Sequence, residues 1–300
     1  MRATFSDFVS LFILSFLWGS AYTALKYALS DLDPISLAAI RLIVSAVFIY
    51  AYMKLKGEKL PKDLHSWRII TIVGLGGMAI PFFLIGWGMQ SMTSSVAGVI
   101  MAITPILALI FSHFMLHDHR ITKKQIVGMA FGFIGIFILM GGPEVFHVTT
   151  SNISKMALLL AAVGYSYTAV RLRELSHLSP TVSATGITII SAISIFTVSL
   201  FHKPIWQVEL QFESILATLY LAIFSTVIGT ILMARVIFRA GPAFMSLNNF
   251  LVPVVAVIGG ILMLGDVINK NLMLASVLIL IGVGLVTPRY KLPVGATPEP

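Results

Sequence analysis

Long apolar runs divided by short polar turns fill the chain from Phe8 to Val286. The first, residues 8–29, would be about 30 Å long at the helical rise of 1.5 Å per residue, which matches the hydrocarbon thickness of a bilayer. Nine more follow, at 35–53, 67–87, 95–114, 126–140, 156–170, 180–201, 215–238, 243–264 and 272–286. The fifth is short at its apolar core, but the stems of Lys123 and Lys124 can snorkel and lengthen the effective span. The pattern predicts an all-α polytopic membrane protein with ten transmembrane helices. Gly141, Gly142, Pro143 and the Thr and Ser residues beyond them mark a linker, and the final PVGATPEP reads as a disordered, cytoplasmic tail. The expected division is a first five-helix unit at 1–142, a linker at 143–153, a second five-helix unit at 154–287 and the tail at 288–300.

The two units repeat. LSDLDP, ending at Pro34, recurs as LSHLSP, ending at Pro180, each between a first and a second span. TPILALIFSHFMLHD, from Thr104 to Asp118, lines up with VPVVAVIGGILMLGD, from Val252 to Asp266. The offsets are 146 and 148 residues. Five spans per copy is an odd number, so the copies must enter the membrane in opposite orientations. Such inverted repeats expose a shared central site to one side and then to the other.

Composition sharpens this picture. Hydrophobic residues make up 58% and charged residues 11%, against roughly 25% charge in a soluble domain, which excludes an ordinary soluble protein. The net charge of +8 does not point to nucleic acid, because the cations fall in short loops. With a cytoplasmic N-terminus, fifteen Lys and Arg lie on the cytoplasmic side, in the groups Arg2; Lys54, Lys56, Lys59, Lys62 and Arg68; Arg120, Lys123 and Lys124; Arg171 and Arg173; Arg235 and Arg239; Arg289 and Lys291. Only three, Lys155, Lys203 and Lys270, lie on the other side. Both termini are therefore expected in the cytoplasm. The absence of cysteine removes disulfides, thiolate chemistry and Cys-ligated metals. One cation precedes the first run and no small-residue cleavage signature follows it, so that run reads as a retained helix and not a signal peptide.

Two cations stand inside the oily first hairpin, Lys26 and Arg41. An ion in a bilayer costs on the order of several kcal/mol unless it snorkels, pairs or faces water. Arg41, about 10 Å in from Pro34 by helical rise, either attracts an anionic or zwitterionic group from a cavity or staples the hairpin by satisfying carbonyls at its tip or pairing with Asp31 or Asp33. Lys26 either stands beside the same cavity or snorkels to the interface, which it does easily. Trp18, Tyr22, Trp87, Gln90, Tyr165, Asn248 and Asn249 are further candidates for the wall of a solute route. Trp87 and Gln90 also suit interfacial anchoring, and the two asparagines also suit bonding across a helix pair. Pro81, Pro105 and Pro253 interrupt helical ladders and are candidates for kinks or gates. The tract His113, His117, Asp118, His119 starts at a membrane exit and reads as interfacial histidines, so no metal and no cofactor are expected. No Asp or Glu occupies a midplane position.

The Trp18-Gly19-Ser20 turn, Lys26, Asp33-Pro34, Arg41 and the Pro105 and Pro253 segments together resemble the EamA-type transporters of the drug/metabolite transporter superfamily. The resemblance spans both repeats. It implies a ten-helix inner-membrane permease, bacterial or archaeal, of a kind that usually exports amino acids, related metabolites or drugs. Where members commonly carry a Gly-Glu pair after the fourth and ninth spans, this chain has His117-Asp118 and Gly265-Asp266. The expected function is a secondary transporter, not an enzyme, exporting amino acids or related small metabolites by alternating access through a cavity between the repeats. The alternatives are an exporter of drugs or other solutes, or a membrane sensor or scaffold that moves nothing. Its partners are then a small solute and the lipid bilayer, with a homodimer left open.

Overall fold

The computed structural model describes residues 4–116, 121–142, 149–202 and 209–287, and every regular element among them is helical. Ten rods carry the fold: α1 Phe5–Ala28, α2 Pro34–Leu55, α3 Leu64–Met89, α4 Ser94–Met115, α5 Lys123–Leu139, α6 Thr150–Leu175, α7 Pro180–Leu200, α8 Phe212–Ala240, α9 Asn248–Leu264 and α10 Lys270–Val286. A single turn, Pro242–Met245, leads into α9. Several rods outrun the apolar pattern because a helix starts where its orphan backbone donors find acceptors, not where polarity ends. Thr4 and Asp7 cap α1 reciprocally, and Asp63 accepts from the Ser66 amide at 2.7 Å at the head of α3. Thr149 accepts from the Asn152 amide at 3.2 Å, so α6 begins at Thr150 and not Met156, inside the stretch expected as linker.

The molecule is apolar outside and partly polar inside, the arrangement lipid imposes. On α1, Phe5, Phe8, Phe12 and Phe16 are exposed while Ser10 and Ser15 are buried; on α7, Ile193, Phe196 and Leu200 face outward while Ser183, Thr185, Thr188 and Ser191 face inward. Small hydroxyl side chains let helices approach closely and return their hydrogen bonds to backbone carbonyls.

The ten rods form two inverted five-helix repeats, and the packing shows the symmetry. Helix α1 lies against α8 and α9, and its counterpart α6 lies against α3 and α4, while α2 meets α7, α4 meets α9 and α5 meets α10. Two side-chain bonds repeat the relation atom for atom. Ser45 Oγ donates to the Ala222 carbonyl at 3.0 Å, and Ser191 Oγ donates to the Gly74 carbonyl at 2.9 Å. The serines are 146 residues apart and the carbonyls 148, the offsets of the sequence repeat itself.

Both carbonyls adjoin or lie within a widened turn. In α3 the helix opens into π geometry over Leu75–Ala79, and in α8 over Tyr220–Ile228. Shifted by 148 residues, the first falls inside the second. The sequence causes differ. In α3, Pro81 lacks an amide hydrogen and crowds the carbonyl four residues back, which a wider turn relieves; in α8, the Thr226 hydroxyl adds a 2.8 Å bond to the Leu221 carbonyl. Each widened turn meets a first helix of the opposite repeat. The Trp18 indole of α1 donates to the Ser225 carbonyl at 3.1 Å and stands over Gly229, where a Cβ would lie 2.5 Å from the indole nitrogen. At the related crossing the bulk is exchanged: Gly164 of α6 faces Pro81, where a Cβ would sit 3.3 Å from the ring.

Candidate functional site

The guanidinium of Arg41 lies between α3 and α8, in the interior where the two repeats meet. Its Cζ lies over the Phe82 ring, 3.9 Å from the ring centroid, and its Nε donates to Thr226 Oγ1 at 3.0 Å. Thr226 passes the hydrogen bond on to the Leu221 carbonyl, so the widened turn of α8 fixes one edge of the cation and α3 fixes its face. The hydroxyls of Tyr22 on α1 and Tyr165 on α6 are within electrostatic range. Arg41, Phe82, Tyr22 and Tyr165 are half-buried, whereas Thr226 is buried. Four helices besides α2 thus contribute, two from each repeat.

The pairing considered for Arg41 with the hairpin acids does not form. Asp33 accepts from the amides of Ile35 and Ser36 at 3.0 and 3.1 Å and from Ser36 Oγ at 2.6 Å, with His202 at 3.6 Å, while Asp31 accepts from the Gln211 amide at 2.7 Å. Among the described residues no carboxylate lies within ion-pair distance of Arg41, and its two terminal amino groups make no hydrogen bond. A clamped guanidinium that keeps its planar fork unused suits a carboxylate or another planar oxyanion.

Of the other candidates, Tyr22 and Tyr165 join Arg41, but most do not. Trp18 is held by Ser225 as described. Asn248 is buried and accepts from Ser15 Oγ at 2.8 Å, a bond that ties α9 to α1, and Asn249 beside it is half-buried. Lys26, Gln90 and Asp266 come together instead at one end of the bundle, with Ser91, Met92, Thr93 and Leu264, around a cleft of about 480 Å³. There the Lys26 ammonium donates to the Met89 carbonyl at 2.6 Å. Trp87 is exposed near the same end of α3. Gly265, in the left-handed region at φ 70°, turns the chain out of α9 so that the Asp266 carboxylate accepts from Ser94 Oγ, Ser95 N and Ser95 Oγ of α4 at 3.1, 2.9 and 2.7 Å. The matching pair His117-Asp118, with His119, lies outside the described residues, while Pro105 follows a break at Ala102 and Ile103 in α4 and Pro253 lies inside α9. Phe82 and Thr226 were not singled out in the sequence. An apolar span holds many Phe and Thr, and only adjacency to Pro81 would have drawn the eye to Phe82.

An inverted pair of five-helix repeats, with a cation and aromatic side chains held between them, defines a membrane carrier. The chain belongs to the EamA-like transporter family, whose profile matches residues 8–141 and 153–287. It is 26% identical to the uncharacterized inner membrane transporter YedA of Escherichia coli over 287 residues, covering 93% of this chain and 90% of that one. An S-adenosylmethionine/S-adenosylhomocysteine transporter of Chlamydia trachomatis is 25% identical over 286 residues, covering 92% and 87% of the two chains. A crystal structure with 19% identity superposes with a TM-score of 0.68 over 94% of this chain and 96% of the other, and so shares the fold.

Proposed function

We propose that this transporter exports amino acids or related small metabolites across a bacterial or archaeal plasma membrane, by alternating access through a cavity between the repeats. The observation that carries the reading is the unused fork of Arg41, aimed from between the repeats by Phe82 and Thr226. Holding a permanent charge in a membrane interior is costly unless something regularly satisfies it, and a solute carboxylate does so with two parallel hydrogen bonds. The Chlamydia relative supports small metabolites as the class, since its name gives two carboxylate-bearing metabolites. The widened turns of α3 and α8 give each repeat a pliable point next to the site.

The test is flux. Purified protein in liposomes should show saturable transport of a carboxylate-bearing metabolite found by screening. Arg41→Ala should abolish saturation at accessible concentrations, and Arg41→Lys, which keeps charge but loses the fork, should raise the half-saturation concentration roughly tenfold, the effect of about 1.4 kcal/mol. Normal transport by Arg41→Ala of the same folded state would remove the arginine from the solute site.

A further inference from the structure

The Arg41 site is electrically one-sided. Its charge is +1, its neighbours Tyr22, Tyr165 and Thr226 are neutral hydroxyls, and Phe82 is apolar. The inverted copy adds nothing to it: the position equivalent to Arg41 at the 146-residue offset is Ile187. Among the described residues the acids sit at helix ends or in turns. Asp7 pairs with Arg239 at 3.2 Å at the head of α1, Glu213 is at the head of α8, and Asp266 is bound to α4 beyond the end of α9. A zwitterion would therefore satisfy Arg41 with its carboxylate and leave its own ammonium in a membrane interior without an anionic partner. Tyrosine and threonine oxygens accept weakly in exchange for a lost hydration shell.

We infer that, of the solutes proposed above, the site takes the related metabolites of net negative charge, carboxylates without a compensating ammonium, in preference to the amino acids themselves, and that the carrier moves them as an electrogenic uniporter. This rests on Arg41 being the solute anchor. The loaded site is neutral, with one negative charge on the solute against one positive charge on the guanidinium, and the empty site is positive. Each cycle thus transfers one net negative charge, and the membrane potential acts on the unloaded return. Arg41 does not release its proton, and no carboxylate lies beside it to carry one, so the flux draws on voltage and not on a proton gradient. An inside-negative potential then drives the solute outward. For a monoanion the limiting gradient is about 50-fold per 100 mV, which supplies the direction of transport.

The experiment uses the full chain in proteoliposomes with potassium and valinomycin to set the potential, and two probes of one skeleton, leucine and its 2-oxo acid. Arg41→Lys, Arg41→Ala and protein-free liposomes are controls for leak. The expected result is saturable, Arg41-dependent movement of the 2-oxo acid toward the positive side, reversed when the potential is reversed, unaltered by collapsing a pH gradient, with leucine at least tenfold poorer as a competitor. Flux of the 2-oxo acid that ignores the potential, or leucine carried in preference, overturns the electrogenic anion site while leaving carboxylate transport standing. Absence of Arg41-dependent flux and of competition for both probes, in protein shown folded by its elution and thermal transition, overturns the proposed function as well.

Discussion

Thr226 orients the arginine, and its hydroxyl does two jobs, accepting from Arg41 Nε and donating to Leu221. Thr226→Val keeps the shape and removes both bonds, so solute affinity should fall roughly fivefold, for about 1 kcal/mol of lost hydrogen bonding, while Thr226→Ser should restore most of it. Half-saturation measurements on the three proteins check this, and an unchanged Thr226→Val protein would mean that Phe82 alone fixes the cation. At the hairpin tip, the Ser214 hydroxyl and the Gln211 amide hold the Asp31 carboxyl below the usual carboxylate range. A carboxyl depressed by folding contributes stability above its unfolded value of about 3.9 and loses it as pH falls through the lower folded value. Asp31→Asn should therefore melt at a lower temperature than the parent at pH 7, and the gap should close as the pH drops below about 4. A gap constant across that range would show that the charge is not what docks the tip. Arg41 was legible as a residue because a cation in an apolar run stands out, whereas Thr226 acquires its meaning only from a helix 185 residues away in sequence.

Helices were legible from hydropathy to within a few residues at most ends, because span length is set by the bilayer. The caps that lengthen α1, α3 and α6 are ordinary Thr and Asp residues whose effect depends on local geometry. The widened turn of α3 had its sign in Pro81; that of α8 had none, since neither a threonine nor a glycine in an apolar run marks a π turn. What links the two turns is the serine pair. Ser45→Ala and Ser191→Ala should each destabilise the protein by about 0.6 kcal/mol, the average for such bonds inside a membrane protein, and by no more than about 1.7. Denaturant titration of the two variants in detergent measures this. A large cost for one and none for the other would break their equivalence. The crossing of α5 and α10 is a different kind of contact: a Cβ on Gly282 would lie 2.5 Å from the Gly128 carbonyl and 2.8 Å from the Gly132 amide. Backbone meets backbone there, and no side chain can be admitted without separating the helices.

For the whole molecule, the duplication was readable because the two offsets differ by only two residues, and an odd number of spans then forces the inversion. Pairings such as Ser15 with Asn248 or Asp266 with Ser95 join distant segments and leave no periodic trace, which is why the candidate residues divided between two locations unforeseen in the sequence. The loop cations give an expected orientation, which is open to direct test in a cysteine-free chain. Lys59→Cys and Arg173→Cys should be protected from an impermeant thiol reagent in intact cells, and Ser151→Cys and Lys270→Cys should react. Reaction at Lys59→Cys together with protection of Ser151→Cys would invert the whole assignment.

The two-fold relation holds for Ser45 and Ser191 but fails for Arg41 and Ile187. A carrier whose halves were identical would be degenerate: its inward-open and outward-open forms would be mirror exchanges of the same contacts, equally populated at rest. Every unmatched residue lifts that degeneracy, and a charge held between the repeats lifts it more than any methyl group can. For the proposed alternating-access uniporter, the unloaded protein should therefore have a preferred resting side, and solute should meet unequal half-saturation concentrations at the two faces. Detailed balance still requires the ratio of maximal rate to half-saturation to be the same from both at zero voltage, so the face with the tighter apparent affinity is also the face with the slower maximal flux.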